Sequence, residues 1–341
     1  MPSAAVVGTG LIGASVGVGL KVAGWQVAGW DADTENLAQA VSIGAVTPVS
    51  SLEEAVDGAE LVVLAASPRA IVSILSDLAT QALVTDVAGI KQPVVEAACG
   101  LPRFVGGHPM AGREVSGPLG ASGDLFRGAT WVLTTDHASG DDLQKLSEVV
   151  RSLGAQPVQM TAAQHDHVVA LVSHLPMVLA ASLVEELGAA GSSADTMVAG
   201  GFRDLTRIAL SSSDWWADLL VANRKPLSSV LRKISDGLQG WAEQLEAEER
   251  AWVTDLLGSA RRTRTRIAPP GEGVGVLLED KPGEIAHVGQ ALAVSGVDLR
   301  DLQLRHATHG GGGVLTLSVR PEEADSLRRA LMAEGFRLLG D

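Results

Sequence analysis

His108 stands in the run Gly106-Gly107-His108-Pro109-Met110-Ala111-Gly112-Arg113-Glu114-Val115-Ser116-Gly117, one imidazole in a glycine-rich stretch. With its ordinary pKa of about 6.5, a neutral imidazole accepts a proton at physiological pH. Far upstream, Gly8-Thr9-Gly10-Leu11-Ile12-Gly13 joins an apolar run to a segment with helical spacing. Such a junction makes a tight turn, lets backbone approach a pyrophosphate, and aims a positive helix end at it. Asp31 closes the following strand, where a carboxylate holds both hydroxyls of a ribose and repels a 2′-phosphate. That pattern selects NAD over NADP. Ala65-Ala66-Ser67-Pro68 ends a further strand and is expected along the cofactor, although a plain turn explains it equally well. A proton acceptor downstream of a dinucleotide site is equipment for hydride transfer.

The His108 run resembles the His-Pro-Met-Ala-Gly loop of prephenate and arogenate dehydrogenases. Gly201-Phe202-Arg203-Asp204-Leu205-Thr206-Arg207-Ile208-Ala209 is similar to a second segment of that family, and Ser173-His174-Leu175-Pro176-Met177 to a third. The resemblance implies NAD-dependent oxidative decarboxylation of prephenate to 4-hydroxyphenylpyruvate in tyrosine biosynthesis. The alternatives are the same reaction on arogenate or a 4-amino analogue, or a non-catalytic regulatory protein that keeps NAD and amino-acid sites. It implies His108 as the general base and Arg207 as the guanidinium for a substrate carboxylate, which that group binds in a bidentate way. Ser173 and His174 are then expected to face the substrate, with Trp216 and Asn223 where relatives carry Trp and Asn. Core packing accounts for Trp216 nearly as well.

Three departures from the family pattern bear on the chemistry. Relatives often place a serine beside the histidine and nicotinamide in Asp-x-x-Ser-x-Lys, whereas this chain has Asp86-Val87-Ala88-Gly89-Ile90-Lys91, which puts Gly89 along the cofactor with no hydroxyl. Met177 replaces a frequent histidine. Arg113 stands where several relatives have threonine and is expected to meet a side-chain carboxylate or to pair with an acid such as Glu114. His165, His167, His287, His306 and His309 have no comparable setting and are expected to be surface or packing residues.

These residues need elements to hold them. The expected fold is α/β: a Rossmann-type doubly wound sheet over residues 1–160, an all-helical substrate and dimerisation domain over 161–268, and a βαββαβ unit over 272–341. The apolar runs Ala4–Val7, Gln26–Trp30, Leu61–Ala65, Leu83–Thr85, Phe104–Val105, Thr130–Leu133 and Pro157–Met160 are the expected strands of the parallel sheet. Helices are expected over Gln164–Leu187, Asp214–Val221 and Lys225–Leu257. The first of these is apolar on more than one side, as a dimer interface would explain. Asp280-Lys281-Pro282-Gly283-Glu284-Ile285 and Gly296-Val297-Asp298-Leu299 resemble an ACT domain. That likeness implies an aromatic amino-acid effector near Asp280, Gly283 and Asp298.

Composition narrows the partners. The chain has 341 residues, 46% of them hydrophobic, which is material for sizeable cores. A net charge of −14 argues against nucleic acid and anionic membrane. The basic run Arg261, Arg262, Arg264 and Arg266 is expected to close a helix at its negative end. No apolar run is expected to span a membrane, the start lacks a basic leader, and a cytoplasmic homodimer without a metal is the expectation. Cys99 is the single cysteine, expected as a small buried hydrophobe with no disulfide.

Overall fold

The computed structural model describes residues 1–111, 117–267, 271–279, 281–306 and 312–339. Two compact units divide it, Met1–Gly237 and Leu238–Asp341. In the first, strands β1 (Ser3–Val7), β2 (Gln26–Trp30), β3 (Thr47–Pro48), β4 (Leu61–Leu64), β5 (Leu83–Asp86) and β6 (Phe104–Val105) form one sheet in the order β3-β2-β1-β4-β5-β6. All of its pairings are parallel. Helices α1 (Leu11–Val22), α2 (Thr34–Ser42), α3 (Leu52–Val56), α4 (Pro68–Asp77) and α5 (Gln92–Ala97) connect the strands. Continuous apolar runs such as Leu61-Val62-Val63-Leu64, buried throughout, are what a parallel strand covered on both faces requires. The strand order reverses between β1 and β4, and at such a switch point the carboxyl ends of the strands open a crevice.

One expectation about the sheet is corrected. The strands near 130 and 157 do not extend it. β7 (Gly107–Pro109), β8 (Thr130–Thr134) and β9 (Gln156–Met160) make a separate three-stranded sheet, with β7 antiparallel to β8 and helix α6 (Gly140–Ser152) between β8 and β9. The chain changes sheets at Gly106, whose N–H donates to Thr134 Oγ1 at 3.0 Å and whose carbonyl accepts from Thr134 N at 2.8 Å. Pairing that had run along β5 is thereby handed to β8, and His108 is carried on the new strand.

The helical part of this unit begins with a near-continuous rod. A capping box of Thr161 and Gln164 starts α7 (Ala162–Val169), a π-helical turn spans Ala170–His174, and α8 (Leu175–Ala190) continues. Pro176 accounts for the wide turn: it has no N–H for the carbonyl four residues back, and its ring would press on that carbonyl in regular α geometry. Contrary to expectation, this rod is long and apolar enough by composition to cross a membrane. Its inner face, however, buries His165, Asp166 and His174, while Val168, Leu171, Val172, Leu183 and Val184 are exposed. Helices α9 (Ser192–Asp195), α10 (Gly200–Thr206), α11 (Ser213–Ala222) and α12 (Arg224–Glu246) follow.

The second unit takes in the end of α12, α13 (Arg250–Ile267) and the strands beyond. The single helix expected over Lys225–Leu257 is broken at Ala247–Glu249, where Glu248 adopts φ 55° and the Trp241 and Trp252 rings meet edge to face at 5.3 Å. No glycine or proline marks that break. Strands β10 (Glu272–Leu278), β11 (Asp301–His306), β12 (Gly313–Val319) and β13 (Arg337–Leu338) form an antiparallel sheet in the order β11-β12-β10-β13. Helices α14 (Glu284–Ser295) and α15 (Ala324–Ala333) pack their Val288, Ala291, Leu327 and Leu331 against Val274, Val276, Leu315 and Leu317. Cys99, expected to be buried, is exposed.

Candidate active site

The glycine loop is shaped by two close approaches. Gly8 has φ 90° and lies so near the end of β4 that a Cβ would sit 2.5 Å from the Ala65 carbonyl oxygen. A Cβ on Gly13 would overlap the Gly8 carbonyl oxygen, whereas one on Gly10 would meet nothing within 4 Å. The outer surface of the loop is therefore open where a pyrophosphate would lie against the first turn of α1, with Leu11 and Ile12 opening that helix. Asp31 directly follows β2 with its carboxylate fixed: Thr9 donates to Oδ2 through N (2.6 Å) and Oγ1 (3.0 Å), and Asp33 N donates to Oδ1 at 2.9 Å. Across the switch point, Ala66, Ser67 and Pro68 follow β4. The Ser67 hydroxyl caps α4, and Pro68 takes the first helical position, where its missing N–H costs nothing. These residues fit a dinucleotide.

His108 is held from behind. Buried Lys91 contacts Asp86 and donates to the Gly107 carbonyl at 2.7 Å, and Asp86 Oδ1 accepts from Gly107 N at 3.1 Å. The residue before the imidazole thus has both backbone groups engaged by one buried ion pair. Removing either partner would strand a charge, at a cost of about 3–5 kcal/mol. Burial lowers the Lys91 pKa, and Asp86 offsets part of that effect.

The His108 ring does not have the ordinary pKa expected. Enclosure by protein, followed by the proximity of His165, Lys91 and His174, holds it well below 6.5. It stays neutral, so it remains a proton acceptor to lower pH than a solvated histidine would. The sequence reading also missed its partner. His108 Nδ1 lies 2.8 Å from Nε2 of His165, which is buried, and His165 Nδ1 lies 2.8 Å from Asp166 Oδ1. Asp166 in turn accepts from Lys91 N at 2.7 Å and Gln92 N at 2.8 Å. The pair lies far from His108 in sequence, and the adjacent His-Asp at the start of an apolar helix was the one available signal.

His174 is buried on the π turn, and its Nδ1 faces the Asn223 amide Nδ2 at 3.0 Å; the same amide nitrogen donates to the Asp166 carbonyl at 2.8 Å. An amide N–H facing Nδ1 puts the proton of His174 on Nε2, and burial lowers its pKa to about 4. Trp216 is buried edge-on to His174, with ring centroids 6.2 Å apart. It packs with Ile90, Met177 and Leu219, and Ile208 lies against that cluster, which brings the Arg207 turn to the same region. Met177 is thus an apolar wall. Ser173, on the π turn, is half-buried and Arg207 is exposed. Gly89 lies alongside His108: a Cβ there would be 3.8 Å from Nε2 and 3.3 Å from Leu219. Arg113 and Asp280 lie outside the described residues. In the second unit, Gly283 opens α14, and exposed Asp298 lies 3.6 Å from Arg320 and 4.0 Å from Arg300.

A cradle for a dinucleotide at a sheet's switch point, and a neutral imidazole in the same unit, are the parts of an NAD-dependent oxidoreductase. The comparisons with known proteins agree. Residues 16–159 match the prephenate dehydrogenase nucleotide-binding domain, and residues 161–258 the prephenate dehydrogenase dimerization domain. Prephenate dehydrogenase of Bacillus subtilis is 30% identical over 93% of this chain and 91% of its own length. A probable prephenate dehydrogenase of Streptomyces niveus, NovF, is 29% identical over 97% and 98%. The crystal structure of the Aquifex aeolicus prephenate dehydrogenase with hydroxyphenyl propionate and NAD+ superimposes with a TM-score of 0.73 at 28% identity, covering 78% of this chain and 98% of that one. This chain belongs to the prephenate dehydrogenase family.

Proposed function

We propose that the enzyme oxidatively decarboxylates prephenate to 4-hydroxyphenylpyruvate with NAD, supplying tyrosine biosynthesis, and that His108 Nε2 is the proton acceptor. The observation that carries this reading is a neutral imidazole locked at Nδ1 to His165, with Nε2 on the Gly89 side. NAD, when bound, supplies the hydride acceptor. As hydride leaves the ring carbon, its hydroxyl becomes the O–H of a protonated ketone, a strong acid. A weak base such as His108 is then sufficient. His108 takes that proton; loss of the ring carboxylate as carbon dioxide returns its electron pair to the ring, and the resulting phenolate oxygen takes the proton back. No net proton is consumed. Arg207 binds a substrate carboxylate, and Ser173, His174 and Trp216 line the pocket, with Arg113 at the side chain.

We further propose a homodimer joined through the exposed apolar face of α7–α8, and an ACT-like role for the second unit. Asp298 between Arg300 and Arg320 offers paired charges to the ammonium and carboxylate of an aromatic amino acid. The deciding experiment is NADH formation from prephenate and from arogenate, with and without tyrosine or phenylalanine. Turnover of prephenate is expected; turnover of arogenate alone would reassign the substrate, and of neither would remove the activity.

A further inference from the structure

Resting on the reading of His108 as the base, we propose that His165 and Asp166 form a positioning pair that fixes the tautomer of His108, keeping its proton on Nδ1 and its lone pair on Nε2. The argument follows the chain of atoms. Both oxygens of Asp166 accept backbone N–H groups, from Lys91 and Gln92, so the carboxylate faces His165 Nδ1 as an acceptor. His165 Nδ1 must therefore carry the proton, because two acceptors would repel at 2.8 Å. With its one proton on Nδ1, His165 offers Nε2 as the acceptor in the proposed pair, and His108 Nδ1 donates to it across 2.8 Å. The one nitrogen of His108 left with a lone pair is Nε2, on the side of Gly89.

The charged groups around the ring are consistent with this assignment. Lys91 on the α5 side, Asp86 at the end of β5, His174 on the π turn and the His165–Asp166 pair on α7 all face His108 or its strand. His165 and Asp166 are both buried, so their polar atoms depend on partners within the protein. When His108 takes the substrate proton, the imidazolium N–H toward His165 strengthens and Asp166 offsets the new charge at one remove. His165 touches neither substrate nor cofactor in this scheme; it acts through His108, as the orienting group of a hydrogen-bonded catalytic array does.

The test is nitrogen NMR of the full chain with 15N-labelled histidine, together with steady-state kinetics of H165F, H165Q and H108N. Glutamine can accept from His108 Nδ1–H; phenylalanine cannot. In the wild type and H165Q, His108 Nε2 should resonate as an unprotonated nitrogen, and in H165F the tautomers should mix. H165F should lose about 10-fold or more in kcat with KM for NAD unchanged, and H165Q should recover most of that loss. A protonated Nε2 in the wild type overturns the pair, as does H165F with wild-type turnover while H108N is inactive. Equal losses in H165F and H165Q with an unchanged His108 tautomer reduce His165 to packing. Turnover retained in H108N removes the base assignment itself and the pair with it.

Discussion

The proposed proton transfer at His108 makes two demands on one side chain: the ring must be neutral, and its free nitrogen must be Nε2. Replacing it by asparagine removes the acceptor, so H108N should keep its NAD affinity by calorimetry and lose roughly 100-fold or more in turnover. The depressed pKa gives a sign to the pH profile. A histidine held below 6.5 is still neutral at pH 6.5, so kcat/KM should stay level as the pH falls to that value and decline only beneath it. A midpoint at or above 6.5 would show that the ring is more solvated than its surroundings indicate. Arg207 is different in kind. In its proposed role as a carboxylate clamp it acts on binding, so Arg207→Ala should raise KM for prephenate strongly with a smaller change in kcat, and an unchanged KM would remove it from the site.

At the scale of elements, the glycine loop separates folding from binding. Gly13→Ala drives a methyl into the Gly8 carbonyl and should lower Tm along with NAD affinity, whereas Gly10→Ala meets no protein atom. Gly10→Ala should therefore melt like the wild type while its Kd for NAD rises about tenfold or more, roughly 1.4 kcal/mol, because the methyl takes space meant for pyrophosphate. Scanning fluorimetry and calorimetry would separate the two outcomes. These elements were legible in the sequence because their signals are local: Gly8 to Gly13 and Asp31 span one βαβ unit, and His108 lies within a contiguous run. The switch of sheets at Gly106 was not, since β7 is three residues long and its pairing depends on Thr134. His165 was missed for the same reason: its meaning comes from a neighbour supplied by another strand. The π turn was hidden too, although Pro176 inside an apolar helix hinted at a break.

At the scale of the whole molecule, the two units invite separate tests. Asp298→Ala should weaken the response to tyrosine or phenylalanine and leave uninhibited turnover unchanged; full-length protein that binds neither amino acid by calorimetry would leave the second unit with a structural role. The first unit couples chemistry to something else. Its long helical rod buries His165, Asp166 and His174 along one side and exposes Val168, Leu171, Val172, Leu183 and Val184 along the other. In the proposed homodimer joined through that outer side, mass action enters the assay: association would stabilise the same backbone that aligns the imidazoles, so activity per chain should fall as the enzyme is diluted past the dissociation constant. Progress curves begun by dilution should bend downward as copies separate, and concentrated stocks should regain full rate after a lag. Constant specific activity across a thousandfold dilution, with light scattering reporting monomers at the low end, would show that the rod keeps its catalytic side in order without a companion.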